Sequence, residues 1–489
     1  MIEPLLTPLA AILAIPLAAA AVLAALPGRR FAATLNALAS LATFLAALGL
    51  FVERPETTLY FFIDDFNVYI VVLTTFVAFT AAWFSASYID HEVAVGRLTP
   101  TLLRFYHAMY QGLSFGMILA LVANNIVLMW VALEGATVTT VVMVSLYRSR
   151  ESIEAAWKYF ILASVGIALA LFGTILVYLA AQPQMGEGPE ALAWTQLKAH
   201  AAAFDANLLN LAFVFLLVGY GTKVGLAPLH AWLPDAHAEG PTPISAVLSG
   251  LLLNVALYAV LRFKMILAEN GQAIAPGRLM LAMGLSSLAL AGCMLYRRRD
   301  IKRLFAYSSI EHMGLITLAF GIGGPLANFA GLLHMTLHSL TKSAIFYAVG
   351  HIAQVKGTQK IAEMSGLTQS HPWIGWGFVL GVVTIAGMPP MGLFMSEFLI
   401  LTSAMARQPW LAVPILLGLA VAFGALVMRV QSIAFGEPKG PSAPLSASLV
   451  PMYLHLGLVL VAGLWLPAPL VAWFQAVAGL LGGNANGGG

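Results

Sequence analysis

Charged residues are scarce in this sequence. Of its 489 residues only 9% are charged, while 60% are hydrophobic; a soluble globular protein has roughly 25% charged residues. So few charges cannot cover a water-facing surface of this size, and we therefore expect lipid to be the main solvent. A net charge of +3 without an aromatic-interleaved basic tract predicts no nucleic-acid partner.

Cysteine is nearly absent as well. Cys293 is the single cysteine, which excludes an intrachain disulfide and an iron–sulfur cluster held by several thiolates. The sequence also lacks a phosphate-binding glycine loop, a Walker motif and a nucleophile elbow. Asp235, His237 and Glu239 are spaced like metal ligands, but a solvated loop is the preferred interpretation. We therefore expect no cofactor, no metal and no catalytic centre in this chain.

Long apolar runs dominate what is present. Because a helix needs about 20 apolar residues to cross the hydrocarbon core, these runs predict an all-α, polytopic transmembrane fold of about 14 helices. The first run follows Met1-Ile2-Glu3-Pro4 without a basic leading region and is expected to be a retained span. Residues 482–489 are expected to form a flexible end. The predicted spans lie near residues 4–26, 32–52, 66–88, 105–122, 124–147, 153–181, 208–236, 243–268, 276–296, 302–322, 325–354, 373–404, 409–434 and 447–476.

Basic residues orient these spans. Sixteen of the 24 lysines and arginines lie in odd-numbered loops or at the span ends beside them, and six lie on the other side. This excess predicts cytoplasmic odd-numbered loops, with both termini on the non-cytoplasmic side. Lys223 and Lys342 remain inside predicted spans, where a charge is costly and usually functional. The six on the other side are Arg54, Lys198, Arg262, Lys264, Arg278 and Arg407.

Two ionisable residues mark the first half of the chain. Glu134 lies in the middle of the fifth predicted span, and nothing near it in sequence can neutralise it. A lysine from another helix would keep it charged, whereas a bond to a backbone group would make it a helix-packing acid. Lys223 precedes Gly225 and Pro228, which weaken the seventh span, and His230 follows. Because broken helices are tolerated in membranes where they pack in protein or line a wet cavity, Lys223 is a candidate proton carrier.

A polar stripe crosses the eleventh predicted span. His334, His338 and Lys342 recur at a spacing of four residues and so share one face of a helix. Histidine titrates near neutral pH and suits a proton relay. The alternative interpretation is a set of satisfied core residues.

Glu397 follows a second interruption, at Gly387, Pro389, Pro390 and Gly392 in the twelfth predicted span. Broken helices at corresponding places in two halves are typical of inverted repeats, and an offset of five spans turns the second copy over. Glu397 is either part of a transport path or an acid facing water at a helix end. The predicted units are peripheral helices in 1–104, a first five-helix repeat in 105–268, an inverted second repeat in 276–434, and a last helix with a tail in 435–489.

Four segments resemble the antiporter-like subunits shared by respiratory complex I, Mrp-type cation/proton antiporters and membrane-bound hydrogenases. The likeness extends over about residues 60–430. Within that family the chain is most similar to the membrane subunit of hydrogenase-4-type and formate-hydrogenlyase-like complexes, because it has no long lateral helix after its last span. The segments are Ala123–Asn125 with Trp130–Glu134, Lys223 with Pro228–His237, Asp300–Ser309 with His312–Gly314, and Pro389–Pro390 with Ser396–Phe398.

The resemblance implies a subunit that translocates protons, driven by redox chemistry in partner subunits. Glu134 is similar to the family's glutamate that pairs with a lysine at the position of Lys223. His334 and His338 match histidine positions of a broken eleventh helix, and Glu397 matches the exit residue of the twelfth.

Asn254 departs from the family pattern. It lies in the eighth predicted span, where many members have a titratable lysine. Asparagine can orient water but cannot carry a proton, so either water bridges Lys223 to the central histidines or this copy conducts poorly. His230 and Lys342 are, like Asn254, secondary site candidates.

The resemblance also implies partners: other membrane subunits and a peripheral redox arm, in the bacterial inner (cytoplasmic) membrane. Three alternatives stay open, namely an Mrp-type cation/proton antiporter subunit, a non-conducting anchor for a peripheral catalytic arm, and a haem-binding subunit. A haem would need histidines that face each other from two helices, whereas His334 and His338 share one. Proton and sodium stay open as the transported ion.

Overall fold

The chain is all-helical in the computed structural model, which describes residues 7–25, 29–444 and 447–482. No β-strand occurs within these ranges, although four isolated bridges pair single residues. Residues 4–6 and 26 of the predicted first span, and residues 483–489 of the predicted flexible end, lie outside the described residues.

Twenty α-helices lie within the described part of the chain. They are α1 (Pro8–Ala25), α2 (Arg29–Gly49), α3 (Asp65–Ala94), α4 (Pro100–Val122), α5 (Ile126–Val144), α6 (Arg150–Met185), α7 (Trp194–His200), α8 (Ala206–Val224), α9 (Trp232–Glu239), α10 (Thr242–Val247), α11 (Leu253–Ala268), α12 (Pro276–Leu295), α13 (Ile301–Ile322), α14 (Gly324–Lys356), α15 (Leu367–Ser370), α16 (Pro372–Ile385), α17 (Gly392–Arg407), α18 (Ala412–Ala434), α19 (Val450–Leu464) and α20 (Ala468–Leu480). A π-helical segment, Leu248–Leu252, joins α10 to α11. Short 3-10 turns occupy Pro189–Leu192, Ala201–Ala203, Ile361–Glu363 and Pro409–Leu411.

The polytopic all-α prediction is confirmed, and each predicted span falls on one helix or on a helix pair joined at a break. Within the described ranges, ten helices are long and apolar enough to cross a membrane, and the pair α19 and α20, bent by 84°, makes an eleventh. The remaining predicted spans correspond to α13, α14 and the pair α16 and α17. The buried polar side chains of α13 and α14 lower the hydropathy of both helices. Length and composition therefore support ten or eleven spans, against the fourteen predicted.

Side-chain caps fix where several helices begin. The side chain of Asn125 accepts hydrogen bonds from the backbone N–H groups of Val127 and Leu128, which starts α5 directly after α4. Asp300 caps α13 in the same way by accepting from the N–H of Arg303. Such caps satisfy N–H groups that the first turn of a helix leaves without partners.

Glycines allow two helix pairs to approach closely. A Cβ atom at Gly219 of α8 would lie 2.5 Å from the backbone nitrogen of Ala170 in α6. A Cβ atom at Gly284 of α12 would lie 2.7 Å from the carbonyl oxygen of Gly314 in α13. Small residues at helix contacts are typical of membrane proteins. These contacts position α8 and α13, which carry Lys223 and His312.

The segment Thr242–Ala268 forms the centre of the protein, because its most apolar window is entirely buried. Its π-helical part packs against α14, where a Cβ atom at Gly250 would lie 2.7 Å from Ser343 Oγ. A π-helical turn inside an α-helix is frequent at functional sites. The sequence predicted this span but gave no sign of its central position.

Arg262 and Lys264 lie inside the protein, although the count of basic residues assigned both to loops or span ends. Arg262 is 1% exposed and donates to both carboxylate oxygens of Asp64, at 2.7 and 2.8 Å. Lys264 is 7% exposed and donates to the carbonyl of Phe320 at 2.7 Å. The sequence could not show this, because the partners of both residues are far away along the chain.

Candidate functional site

The first helix break separates α8 from α9. Helix α8 ends at Val224, and Gly225 follows in the left-handed conformation with φ 79°, which glycine adopts without steric cost. Trp232, the first residue of α9, donates from its indole N–H to the carbonyl of Thr222 at 2.8 Å. Its ring also stacks on Tyr159 of α6 with centroids 4.3 Å apart. The predicted break is thus present and is held in a fixed geometry.

Lys223 lies at this break and is 1% exposed. Its Nζ donates to the hydroxyl of Thr137 in α5 and lies 5.4 Å from the centroid of the Tyr159 ring. Glu134 lies one helical turn before Thr137 and is close enough for its charge to interact with that of Lys223. No direct salt bridge between the two occurs among the described residues, and Glu134 Oε2 has no protein hydrogen-bond partner. The structure therefore brings the predicted pair together, with Thr137 in contact with the lysine.

His237 is buried, contrary to the prediction of a solvated loop. It lies in α9, is 0% exposed, and stacks on Phe346 of α14 with centroids 5.0 Å apart. Both of its ring nitrogens are without a protein partner. Asp235 and Glu239 point to the surface instead, where each forms a salt bridge with Arg303. Residues four apart share one face of a helix and the residue midway between them lies on the opposite face. In α9, Asp235 and Glu239 therefore lie on one side and His237 on the other.

His230 lies in the break itself. It is 9% exposed, and its ring contacts that of Tyr307 in α13 with centroids 6.3 Å apart. Its Nδ1 has no protein hydrogen-bond partner. The secondary candidate is therefore placed between the first break and α13.

Asn254 connects the central segment to α14. Its side-chain amide donates to Ser339 Oγ at 2.7 Å and to the carbonyl of Gly250 at 3.2 Å, while its Oδ1 is unpaired. Ser339 directly follows His338, whose two ring nitrogens also lack protein partners. No hydrogen bond joins Lys223 to Asn254 in the described structure.

The predicted stripe on α14 is fully buried. His334, His338 and Lys342 are all 0% exposed. Lys342 Nζ donates to the carbonyl of Phe305 in α13 at 3.0 Å, and its charge interacts with that of Glu311. The stripe therefore faces α13, which supplies the carboxyl group that α14 lacks.

His312 of α13 meets His334 of α14. The two rings are stacked with centroids 5.2 Å apart, and His312 Nδ1 lies 3.0 Å from His334 Nε2. The other nitrogen of His312 bonds to the carbonyl of Ile385 at 3.1 Å, and that of His334 to Ser396 Oγ at 2.9 Å. This arrangement links α13 and α14 to both sides of the second break.

Glu397 lies in the second turn of α17, next to the second break, which separates α16 from α17. Its carboxylate lies against Gly387, which has φ 66°, and a Cβ atom at that position would overlap it. Glu397 Oε1 and Glu311 Oε2 are both buried without protein partners. A cavity of about 20 Å³, lined in part by the same two residues, has room for one water molecule.

The cluster of His312, His334 and Glu397 also has the spacing of a three-ligand metal site, with one atom of each within 4.8 Å of the others. However, all four ring nitrogens already have hydrogen-bond partners. The two histidines do face each other from two helices, as a haem would require, but their hydrogen-bonded nitrogens leave no space for an iron atom. The expectation of no metal and no cofactor stays a prediction.

Glu311 and His312 are candidate site residues that the sequence pattern did not single out. Both are ionisable and lie inside the predicted span 302–322, so the signal was present. His312 entered only as part of a segment that carries the family resemblance, and Glu311 beside it was not considered.

Comparisons with known proteins agree with this architecture. A family model described as "NADH:quinone oxidoreductase/Mrp antiporter, TM" matches residues 123–423. The chain is 58% identical over 472 residues to the hydrogenase-4 component F homolog of Methylacidiphilum infernorum (isolate V4), covering 96% of this chain and 99% of that protein.

Two solved structures are similar in fold. A chain of the membrane-bound sulfane sulfur reductase, an archaeal respiratory membrane complex, matches with a TM-score of 0.85 and 22% identity, over 97% of this chain and 98% of that one. A chain of respiratory complex I from Thermus thermophilus matches with a TM-score of 0.80 and 23% identity, over 97% and 100%. At these identities the likeness concerns the fold alone.

Proposed function

Because the chain belongs to the NADH:quinone oxidoreductase/Mrp antiporter family, we propose that it translocates protons across the membrane as one subunit of a larger complex. Redox chemistry in partner subunits of a hydrogenase-4-like or complex I-like assembly drives this transport. The chain contributes the membrane path and no redox centre.

One observation carries this proposal: of the 23 buried side-chain atoms without a protein partner among the described residues, 18 lie at the first break or on helices α5, α8, α9, α11, α13, α14 and α17. A buried polar group without a partner costs about 1–3 kcal/mol, so native structures usually supply water at such positions. Water beside ionisable side chains provides the hydrogen-bonded connection that proton transfer needs. Of the residues with such atoms, those that we assign to the path are Glu134, His230, His237, Asn254, Ser308, Glu311, His338, Thr341, Ser343 and Glu397.

We assign the steps to these groups in order. A proton passes between Glu134 and Lys223 at the first break, with Thr137 as the hydrogen-bond partner of the lysine. Water oriented by Asn254 and Ser339 carries the proton to His338 and the polar face of α14. This step replaces the lysine that many family members have at the position of Asn254.

The second half of the path follows α13 and α14. Lys342, the pair of His312 and His334, and Glu311 lie between the central segment and the second break. Glu397 at that break is the exit residue. Two inverted five-helix repeats, in residues 105–268 and 276–434, would place the two breaks at equivalent positions on opposite sides of the membrane.

The partners follow from the same proposal. Other membrane subunits flank the chain, and a peripheral redox arm binds the complex on the cytoplasmic side of a bacterial inner membrane. Both termini of the chain lie on the opposite side. The component F homolog, which resembles this chain over almost its whole length, supports the hydrogenase-4-like assembly.

The test uses vesicles that contain the complete complex. We expect Lys223→Ala and Glu134→Gln each to lower proton uptake per electron transferred by about 10-fold or more, because proton transfer through a positioned side chain contributes at least that much. Lys360→Ala and Glu154→Gln serve as matched controls, since their side chains are 73% and 60% exposed. Uptake is followed with a pH-sensitive dye during turnover.

The outcome separates this function from its alternatives. Normal uptake in both buried-site variants would refute proton translocation through this subunit. Impaired assembly with an unchanged ratio of protons to electrons would identify a structural anchor instead. Uptake that follows sodium rather than proton concentration would identify an Mrp-type cation/proton antiporter subunit.

A further inference from the structure

Four hydrogen bonds form a continuous chain across the second break. They run from the carbonyl of Ile385 to His312 at 3.1 Å, from His312 to His334 at 3.0 Å, and from His334 to Ser396 Oγ at 2.9 Å. The fourth runs from Ser396 Oγ to the carbonyl of Leu393 at 2.8 Å. Both ends of the chain are backbone carbonyls, which accept hydrogen bonds and cannot donate them.

A count of hydrogens shows which protonation state the four hydrogen bonds require together. Each of the four bonds requires one hydrogen, and none can come from Ile385 or Leu393. A neutral histidine supplies one ring N–H and a serine one O–H, so neutral His312, His334 and Ser396 together supply three. All four hydrogen bonds are formed only when His312, His334 and Ser396 together hold one additional proton. That proton makes one of the two rings an imidazolium.

We propose that His312 and His334 together bind one transferable proton, shared across the short contact between their facing nitrogens. His312 is therefore a proton-carrying residue of the path, and Ser396 is a positioning residue that makes the extra proton necessary. When the proton leaves, one of the four bonds loses its hydrogen. The inference rests on the proposed function for the direction of transfer but not for the presence of the proton.

The charges around the pair include its counter-charge. Burial disfavours a cation, and Lys342 on α14 would repel one when charged. Glu397 would offset this when ionised, because one of its oxygens lies within 4.8 Å of a nitrogen of each ring and Oε1 has no protein partner. Glu311 on α13 adds a second carboxyl group beside the same cavity.

His338 is the remaining ionisable neighbour. Its ring lies 5.6 Å from that of His312 between centroids, and both of its nitrogens are unpaired. It is therefore placed to deliver a proton through water, while Glu397 is placed to accept one. The pair holds the proton between these two groups.

The test is solid-state NMR of the full chain in lipid bilayers, with isotope-labelled histidine nitrogens. At neutral pH we expect the signal of one ring with both nitrogens protonated, and its loss in His312→Gln. We also expect its loss in Ser396→Ala, although both histidines remain. Without the hydroxyl, only two hydrogen bonds remain, that of His312 to the carbonyl of Ile385 and that between the two rings. Two neutral rings supply both hydrogens, so no extra proton is needed.

Two further variants keep the result interpretable. Ser396→Thr retains the hydroxyl and should retain the signal. Ser403→Ala removes another buried hydroxyl of α17, which donates to the carbonyl of Leu399 at 2.7 Å, and should also leave the signal unchanged. Thermal unfolding confirms that each variant is folded.

Several results would overturn the inference. They are two neutral rings in the unmodified chain, or a protonated ring that persists in Ser396→Ala. If both rings are neutral and Lys223→Ala still loses proton uptake, the proton shared by His312 and His334 is refuted and the proposed function is not. A protonated pair together with normal uptake in Lys223→Ala would support the stored proton and refute the proposed function.

Discussion

At the scale of single residues, the site depends on side chains whose hydrogen-bonding capacity is only partly used. Asn254 donates to Ser339 but leaves its own oxygen unpaired, and His338 next to Ser339 uses neither nitrogen. A fully satisfied polar network rigidifies a core. The unsatisfied atoms here are instead positions for water, which is the mobile part of a proton path.

Asn254→Leu tests this role of water. We expect it to lower proton uptake about 10-fold and to destabilise the protein by about 1–3 kcal/mol, because the Ser339 oxygen loses the amide donor and keeps only its bond to the carbonyl of Met335. Uptake in vesicles and thermal unfolding measure the two effects. Asn328→Leu is the matched control, since Asn328 on α14 is also buried with an unpaired Oδ1, but its amide donates to the carbonyl of Ala478 and it lies outside the proposed path. Equal uptake in both variants would show that Asn254 is structural only.

Gly387→Ala tests the position of Glu397. A Cβ atom at residue 387 would overlap the Glu397 carboxylate, and the φ of 66° adds backbone strain of about 1–3 kcal/mol. We expect lower stability and loss of proton uptake. Gly323→Ala has the same φ of 66° but meets no atom within 4 Å, so it should show the strain without the loss of uptake. Normal uptake in Gly387→Ala would contradict the assignment of Glu397 as exit residue.

At the scale of helices, close packing determines how accurately the two breaks are positioned. Helix α8 presses against α6 through Gly219, and α13 presses against α12 through Gly314. Because the contacts involve backbone atoms, a larger side chain cannot be accommodated by a change of rotamer. The helices that carry Lys223 and His312 are therefore rigidly placed, whereas the chain leaves regular helix directly after α8.

Gly219→Ala tests this dependence. The added methyl would lie 2.5 Å from the nitrogen of Ala170 and must separate α6 from α8. We expect destabilisation by about 1–3 kcal/mol, as is typical of overpacking, measured by thermal unfolding in detergent. Gly135→Ala, in α5 with open space around the new methyl, should stabilise slightly or have no effect. A similar small effect at both positions would contradict the close contact.

At the scale of the whole molecule, one buried ion pair joins distant parts of the chain. Arg262 of α11 bonds to Asp64, the capping residue of α3, and its guanidinium also lies within 4.8 Å of the ring centroids of Phe62, Trp194 and Tyr258. Burial alone would raise the pKa of Asp64, but the charge and hydrogen bonds of Arg262 hold it below the usual value of 3.8. The pair thus connects the N-terminal helices to the central segment.

Arg262→Met tests this connection. We expect destabilisation by about 3–5 kcal/mol at neutral pH, because Asp64 would be left charged without its partner. Since the pKa of Asp64 is lowered by folding, its stabilising effect is present above pH 3.8 and is lost as the pH falls through the folded-state value. The difference between the variant and the unmodified chain should therefore shrink in acid. Thermal unfolding as a function of pH measures it, and a constant difference would contradict the ion-pair explanation.

The amino-acid sequence by itself determined the class of protein, the helices and the two breaks. Hydrophobic run length is a local property, and so is the effect of glycine and proline on a helix. The positions of Glu134, Lys223, His334, His338 and Glu397 followed from the same rule that a charge in a membrane is unusual. The family comparisons confirm the resemblance that the motifs indicated.

Only the tertiary structure decided which of these residues meet. The pairing of His312 with His334 arises where α13 packs on α14, and the cavity beside Glu311 and Glu397 arises where α13 approaches α17. Burial of His237 and Arg262 has the same origin, since each is covered by elements far away along the chain. Sequence pattern shows where an ionisable residue lies on its own helix, whereas its partners depend on how all the helices pack together.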